Sequence, residues 1–222
     1  MKAAAQSSCT CAGAWSAFVV NSFLQNGINI SELCKDVWTS IVDGRSETTL
    51  VVTLVGLTGG EGKSCFLKAL RAVWAMEGAV FNVSKESGNF KFLDLLQAKI
   101  AFLDDYRFDP DILSWGSLCL WFDGSDVPVG RPQIDKGFIG NCTYKGTAPI
   151  FITTKLTDLQ NLEAAAAINP QTGAPHDSDA SMLLRRLKIY RFRQRVSKPC
   201  GKMAFCGCCF AKLVLAQAGV TD

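Results

Sequence analysis

The chain has 222 residues, of which 48% are hydrophobic and 19% charged, and its formal net charge is +3 at pH 7. This length fits one main domain with a substantial core, and the apolar runs are too short or too interrupted to span a bilayer. So small a net charge gives no argument for a polyanionic partner. We therefore expect a soluble, intracellular protein with no membrane partner, in a compartment that keeps its 10 cysteines reduced.

The hydrophobic pattern predicts an α/β fold with a mostly parallel central sheet flanked by helices. Residues 12–43 carry apolar positions at helical spacing, with Ser31 as a candidate N-cap, and predict a small N-terminal helical segment. A glycine-rich turn then opens a helix from about Lys63 to Met76. Short apolar runs before and after this helix predict strands. These runs are TTLVVTLVG, AVFNV, KIAFLDD, PIFITT and LKIYRF.

The glycine-rich turn has the composition of a phosphate-binding loop. The pattern G-x-x-x-x-G-K-[ST] ends in Gly62, Lys63 and Ser64, but its leading position falls on Leu57, and Gly56 stands one residue too early. Gly56, or the flexible glycine pair inside the loop, can replace the leading glycine. Backbone N–H groups and the lysine of such a loop bind phosphates, and its serine ligates magnesium. We prefer this interpretation to a chance glycine-rich turn, and predict that Gly59, Gly60, Glu61, Gly62, Lys63 and Ser64 bind the nucleotide.

An acidic pair, Asp104 and Asp105, ends the strand KIAFLDD. In nucleotide hydrolases a carboxylate at such a strand end holds hydrated magnesium, and a second acid orients or deprotonates the attacking water. The alternative is a pair of acids that caps the next helix. Because the pair ends a buried strand downstream of the glycine loop, the magnesium interpretation is favoured.

Two further segments complete the pattern. A glycine-punctuated basic hairpin precedes the strand PIFITT, and SMLLRRLKIYRF places Arg185 and Arg186 just before the last strand. The run RRLKIYRFRQR, residues 185–195, contains no acidic residue. It fits equally well the solvated face of a terminal strand and a functional basic stripe.

With these motifs the sequence resembles the superfamily 3 helicases, the AAA+ motors of small DNA viruses and of some RNA viruses and plasmids. The resemblance covers about residues 50–195. GGEGKS is similar to their A motif, KIAFLDD to the B motif, FDGSDVPVGRPQIDKG to the B-prime region, APIFITTK to motif C and LLRRLKIYRF to the arginine-finger segment. KIAFLDD is most similar to papillomavirus-type replicative helicases, whereas GEGKSCFLKAL is also similar to the poxvirus and phage primase-helicases.

The resemblance implies a P-loop NTPase of the AAA+ type that uses ATP and Mg²⁺. Lys63 would contact the phosphates, Ser64 and Asp104 would hold magnesium, and Asp105 would lie near the attacking water. Arg186 would be the arginine finger, with Arg185 as the alternative.

One departure from the family concerns motif C, which normally ends in an Asn where this chain has Lys155. A lysine ammonium cannot accept a hydrogen bond. Thr154 or Thr153 would therefore have to position the water, and nucleotide binding is a safer expectation than turnover.

The hairpin before motif C grips single-stranded nucleic acid in this family. The candidates here are the basic residues Lys136 and Lys145, with Phe138 and Tyr144 as stacking surfaces. An ordinary surface hairpin is the alternative. The resemblance implies single-stranded DNA as the partner, with RNA as an alternative, and a homo-oligomeric ring such as a hexamer, with ATP between subunits.

The C-terminal tail contains Cys200, Cys206, Cys208 and Cys209. Four thiols can form a tetrahedral zinc site, and picornavirus relatives carry a cysteine-rich zinc element after the motor. The spacing, however, fits no standard zinc knuckle, and the adjacent Cys208 and Cys209 would rarely both ligate one ion. We divide the chain into an N-terminal helical segment (1–45), an ATPase core (46–196) and a Cys-rich tail (197–222).

The expected function is an ATP-dependent helicase motor for DNA replication. One alternative is an oligomeric scaffold derived from such a motor, which binds the nucleotide but hydrolyses it weakly or not at all. Another is a partitioning-type ATPase, because GGEGKS is similar to the loop of that class. That class has a second lysine before the glycine pair, where this chain has Thr58.

Overall fold

The computed structural model describes residues 1–57, 59–74, 80–82, 95–96, 98–129, 142–174, 176–196 and 205–220. The helices within these residues are α1 (Lys2–Gln6), α2 (Ala14–Gln25), α3 (Ile30–Asp43), α4 (Lys63–Trp74), α5 (Trp115–Phe122), α6 (Leu156–Ala166), α7 (Ser178–Arg185) and α8 (Gly207–Ala218). The strands are β1 (Val51–Gly56), β2 (Val80–Asn82), β3 (Ile100–Tyr106), β4 (Asp126–Val129), β5 (Cys142–Lys145), β6 (Ile150–Lys155) and β7 (Leu187–Phe192).

Five strands form a parallel sheet in the order β2-β3-β6-β1-β7. Strand β1 lies between β6 and β7, with Gly56 opposite Lys155 of β6 and opposite Phe192 of β7. Because every strand runs in the same direction, the carboxyl ends of β1, β3 and β6 meet at one edge of the sheet. The predicted α/β fold with a mostly parallel sheet is confirmed.

Helices cover both faces of this sheet. On one face, Val52 and Leu54 of β1 join a buried cluster with residues of α2, α3, α4 and α8. On the other face, Val51 and Val55 join a cluster with residues of α5, α6 and α7. All residues of β1 are buried, as its nearly continuous apolar run predicts. Among the described residues, no helix has both the length and the apolar character that a membrane crossing requires.

The predicted N-terminal helical segment forms α2 and α3, but Ser31 is not the cap of α3. That cap is Asn29, whose side chain accepts a hydrogen bond from the Glu32 N–H. The Ser31 hydroxyl instead donates to the carbonyl of Gln217, at the end of α8, over 3.4 Å. Helix α3 therefore packs against the C-terminal helix as well as against the sheet.

A charged cluster lies on the α5–α7 side of the fold. Arg186 follows α7, and its guanidinium forms a two-pronged ion pair with Asp123 and donates a further hydrogen bond to the Met182 carbonyl. Arg45 is only 5% exposed and donates to the Phe122 carbonyl. Burial lowers the pKa of Arg45 to about 10, although Asp123 acts in the opposite direction. Asp123 therefore balances the charge of two arginines in a largely dry environment.

Replacing Asp123 by Ala is expected to lower the free energy of unfolding by roughly 3 kcal/mol, because it leaves two cations side by side without a counter-charge. Glu163→Ala is the control, because Glu163 pairs with Arg191 at the surface, where such pairs contribute less than about 1 kcal/mol. Chemical denaturation of both variants measures the difference. Equal, small effects would show that the Asp123 cluster is an ordinary surface ion pair.

Candidate functional site

A cavity of about 700 Å³ opens at the carboxyl edge of the sheet. The glycine loop after β1, the first turn of α4 and the ends of β3 and β6 form its wall. The structure thus brings together the predicted loop residues and the acidic pair around one space. These are Gly59, Gly60, Glu61, Gly62, Lys63, Ser64, Asp104 and Asp105.

The glycines of the loop are required by its backbone. Gly59, Gly60 and Gly62 have φ angles of +90°, +84° and +93°, which other residues rarely adopt. At Gly62, a Cβ would also lie 2.7 Å from the Ser22 hydroxyl. That hydroxyl donates to the Glu61 carbonyl over 3.0 Å, so α2 supports the loop from behind.

The early glycine, Gly56, has a steric explanation. A Cβ at this position would lie 1.8 Å from the Lys63 Nζ and 2.7 Å from a carboxylate oxygen of Glu61. The end of β1 therefore leaves room for the Lys63 side chain, which folds back over it. The observed position of Lys63 therefore requires a glycine at residue 56, one residue before the usual position of the leading glycine.

Lys63 is paired within the loop. Its Nζ lies 3.0 Å from the Glu61 carboxylate, and the side chains of Lys63 and Glu61 are 10% and 0% exposed. Glu61 also accepts a hydrogen bond of 2.7 Å from the Gly59 N–H. A lysine ammonium and backbone N–H groups are the donors that such a loop offers to phosphate oxygens. The Glu61 carboxylate thus takes hydrogen bonds that a phosphate would otherwise accept, which the sequence motif did not reveal.

The acidic pair lies on an irregular strand end. The pairing of β3 with β6 shifts register between Leu103 and Tyr106, and Asp105 has a φ of +51°. In a regular strand, Asp104 and Asp105 would point to opposite faces of the sheet. The bulge turns Asp105, so that both exposed carboxylates line the same cavity.

Thr153 connects the two acids. Its hydroxyl donates to the Asp104 carboxylate over 2.6 Å and accepts a hydrogen bond of 2.7 Å from the Asp105 N–H. Thr154, the predicted residue for positioning the water, lies elsewhere. It is fully buried, and its hydroxyl donates to the Tyr106 carbonyl over 2.8 Å. Of the two candidates, Thr153 therefore lies at the cavity and Thr154 does not, because alternation along β6 points the two side chains to opposite faces. The role in positioning a water stays a prediction.

Lys155 also lies at the cavity. Its Nζ is 3.6 Å from the Asp105 carboxylate, and both side chains are substantially exposed, at 44% and 69%. Two of the basic residues that line the cavity, Lys63 and Lys155, thus each face an acid of the same chain.

The two candidate finger residues lie far from this cavity in their own chain. The Arg186 carbonyl accepts a hydrogen bond from the Val51 N–H, at the amino end of β1, whereas the glycine loop follows the carboxyl end. At roughly 3.3 Å per residue, the strand separates the two ends by about 17 Å. Arg186 is held by Asp123, whereas Arg185 is exposed and has no ion pair with any described residue.

The hairpin that was predicted to bind nucleic acid is described only in part. Its strands β4 and β5 pair antiparallel, with Asp126 opposite Lys145, which is exposed. Lys136 and Phe138 lie outside the described residues. Tyr144 is not a stacking surface, because its ring is buried and its hydroxyl accepts a hydrogen bond from the Ala148 N–H.

Basic residues of β7 are balanced within the fold. The Lys188 Nζ lies 2.6 Å from Glu32 and 3.8 Å from Asp36, and Arg191 pairs with Glu163 at 2.7 Å. Both basic residues of β7 within the run 185–195 are therefore paired with acids of the same chain.

Three apolar residues that the sequence did not single out also line the cavity. They are Phe18 of α2, Val196 after β7 and Phe205 before α8. The Lys68 Nζ lies 5.3 Å from the centre of the Phe205 ring, within reach of a cation–π contact. Phe18, Val196 and Phe205 come from distant parts of the chain, so no local motif identifies them.

No protein-family profile and no curated protein matches this chain. Several solved structures are similar to it. The apo structure of the NrS-1 C-terminal region (305–718) gives a TM-score of 0.52 at 15% identity, over 92% of this chain and 43% of that one. A second structure of that region gives 0.51 at 12% identity, over 92% and 42%. The X-ray structure of the JCV helicase gives 0.46 at 16% identity, over 84% and 48%.

The chain thus spans less than half the length of these solved structures. At such low identity, the likeness to the NrS-1 region shows the fold alone. The fold is consistent with that of the P-loop NTPases, in which a glycine loop joins a buried strand to a helix.

Proposed function

We propose that this chain is an ATP-dependent helicase motor that couples nucleotide hydrolysis to movement along single-stranded DNA during replication, with RNA as an alternative strand. One observation carries the proposal: the glycine loop with Lys63, the acids Asp104 and Asp105, and Thr153 converge on one cavity. A glycine loop alone supports phosphate binding. The added carboxylates and hydroxyl support hydrolysis, because they can orient a water molecule.

The nucleotide phosphates would bind at the glycine loop. Lys63 would exchange Glu61 for a phosphate oxygen, and the loop N–H groups would bind the remaining oxygens. Mg²⁺ fits the donors at the cavity, because Ser64 and Asp104 supply the hydroxyl and carboxylate oxygens that this ion prefers. When bound with ATP it would neutralise phosphate charge. Thr153 would hold the Asp104 carboxylate in one orientation, and Asp105 would lie next to the attacking water.

A second candidate function is supported by the internal ion pairs. Glu61 neutralises Lys63, and Lys155 stands 3.6 Å from Asp105 in place of the Asn of motif C. Both arrangements favour an oligomeric protein that binds ATP and hydrolyses it weakly or not at all.

Steady-state ATP turnover, measured with and without single-stranded DNA, separates the two functions. The motor requires turnover that single strands stimulate, through contacts for which we propose Lys136, Phe138 and Lys145. ATP binding without turnover in either condition would contradict the motor and support the scaffold. Particle mass with and without ATP tests the proposed homo-oligomeric ring, which we expect to be a hexamer.

Two loop variants should change ATP affinity in opposite directions. Lys63→Ala removes charge-assisted hydrogen bonds worth about 1.5–3 kcal/mol each and should abolish measurable binding. Glu61→Gln keeps an acceptor for the Gly59 N–H but removes the charge that competes with phosphate. We expect it to tighten binding by about tenfold, or about 1.4 kcal/mol. Calorimetry measures both, and weaker binding by Glu61→Gln would show that Glu61 supports the ligand instead of competing with it.

The two threonines of β6 form a matched pair for testing turnover. Thr153→Val removes the hydroxyl that donates to Asp104 and accepts from the Asp105 N–H, and should lower kcat roughly tenfold, which corresponds to about 1.4 kcal/mol in the activation barrier. Thr154→Val loses a bond to the Tyr106 carbonyl, away from the cavity, and should affect stability but hardly kcat. If both variants reduced kcat equally at the same folded fraction, Thr153 would have no special role.

The shared-site ring predicts complementation between inactive subunits. Because Asp123 and the Met182 carbonyl occupy the guanidinium of Arg186, we propose the exposed Arg185 as the residue that reaches a neighbour's ATP. Arg185→Ala should bind ATP but lose ~10³-fold or more in turnover. Mixing it with Lys63→Ala should restore part of the activity, because some interfaces then combine an intact loop with an intact arginine.

Arg186→Ala serves as the comparison in the same assay. If folded Arg186→Ala subunits restored activity when mixed with Lys63→Ala subunits, and Arg185→Ala subunits did not, Arg186 would be the arginine finger. Full activity of both variants would contradict the shared site.

A further inference from the structure

Four cysteines from the two ends of the chain meet beside α8. Cys9 and Cys11 precede α2, whereas Cys206 is the N-cap of α8 and Cys209 lies in its first turn. Their four Sγ atoms all lie within 4.8 Å of one another. Cys9 is exposed, whereas Cys206 and Cys209 are buried, so the cluster has one side open to solvent.

The distances between the sulfur atoms suit a shared metal ion. The Sγ of Cys9 lies 3.8 Å from that of Cys11, 3.9 Å from that of Cys206 and 3.3 Å from that of Cys209. Cys11 and Cys209 are 3.4 Å apart. Tetrahedral ligands at the Zn–S bond length of about 2.3 Å stand roughly 3.8 Å from one another. The observed separations are close to this value and far longer than a disulfide bond of about 2.05 Å.

We propose that Cys9, Cys11, Cys206 and Cys209 form a structural zinc site that joins the N-terminal segment to α8. Four thiolates around one centre are the ligand set of a closed structural zinc site, with no position left for a substrate. Binding requires the thiols to release their protons, so that the ion compensates the charges of sulfurs brought close together.

This site differs from the tail site considered from the sequence. Only Cys206 and Cys209 of the tail take part, and the other two ligands come from the opposite end of the chain. The Cys208 Sγ contacts the Ala5 carbonyl at 3.6 Å instead. Cys200 lies outside the described residues.

Backbone N–H groups support the thiolate form of two of these ligands. The N–H groups of Cys11 and Gly13 lower the pKa of Cys9 to about 6. Burial raises the pKa of Cys206, whereas the N–H groups of Cys209 and Thr10 and the thiols of Cys209 and Cys11 lower it, and the net shift is downward. Amides that donate to sulfur in this way orient the ligands of a metal and stabilise their charge.

The site would fix part of the cavity wall. Phe205, the residue before Cys206, lines the cavity, and α8 packs against α1, α3 and α4. A metal ion between Cys9 and Cys206 would therefore hold Phe205 at the cavity and hold both ends of the chain against α4. This proposal does not depend on ATP hydrolysis.

Metal analysis of the intact chain, purified and reconstituted under reducing conditions, tests the site directly. We expect one zinc ion per chain, and a visible spectrum typical of tetrahedral thiolate coordination after cobalt substitution. Cys9→Ser and Cys209→Ser should lose the metal and the spectrum, whereas Cys208→Ser, the neighbour in sequence, should keep both. A reduced wild-type chain that binds no zinc, or a Cys208→Ser variant that loses it as Cys209→Ser does, would overturn the proposal.

A second measurement needs no variant. Zinc should slow the alkylation of Cys9, Cys11, Cys206 and Cys209, read by mass spectrometry on the wild-type chain, and leave the half-buried Cys65 unaffected. Removal of the metal by a chelator should also lower the melting temperature. Equal protection of all thiols by zinc, or protection of none, would contradict the site even if the variants fail to fold.

Discussion

The position of β6 between β1 and β3 is the constraint on which the candidate site depends. Parallel pairing brings the glycine loop of β1 and the acids of β3 to one edge, but an intervening strand separates them. The end of β6 therefore has to supply the polar groups between them, and Thr153 does so. Because Phe151 and Thr153 share a face of β6, the face that packs on the α4 side also presents the hydroxyl to the cavity.

Within the site, Lys63 is already paired with Glu61, and Lys155 with Asp105. The Lys63–Glu61 pair is almost fully buried, so in the proposed function a phosphate would replace one anionic partner of the lysine with another. The net free energy of phosphate binding would then be smaller than the interaction energy of either ion pair of Lys63, with Glu61 or with phosphate. This is because the displaced Glu61 carboxylate must be solvated or find new hydrogen-bond donors. In the proposed function, nucleotide binding would accordingly be coupled to a change in the loop itself, and the affinity would depend on how readily Glu61 leaves.

The sequence could predict those features of the fold and the site that depend on residues close together in the chain. The apolar runs located the strands to within a few residues, and the glycine spacing located Lys63 and Ser64, which line the cavity, because both depend on local pattern. The bulge that turns Asp105, the partner of Lys63 and the choice between Thr153 and Thr154 depend on how distant strands pair. The cysteine cluster shows the same limit: tail spacing could not reveal thiols that lie about 200 residues away along the chain.

The two ends of the chain and the nucleotide loop form one packed unit. Residues of α2, α3, α4 and α8 share a single buried cluster, in which Trp15, Phe66 and Phe210 make ring contacts. Helix α4 begins at Lys63, so the helix that presents the loop lies against the helix that carries Cys206 and Cys209. The division into a helical segment, an ATPase core and a tail stays a prediction. In packing terms, any change that loosens α8 also removes support from the helix behind the loop, which physically links the cysteine cluster to the glycine loop.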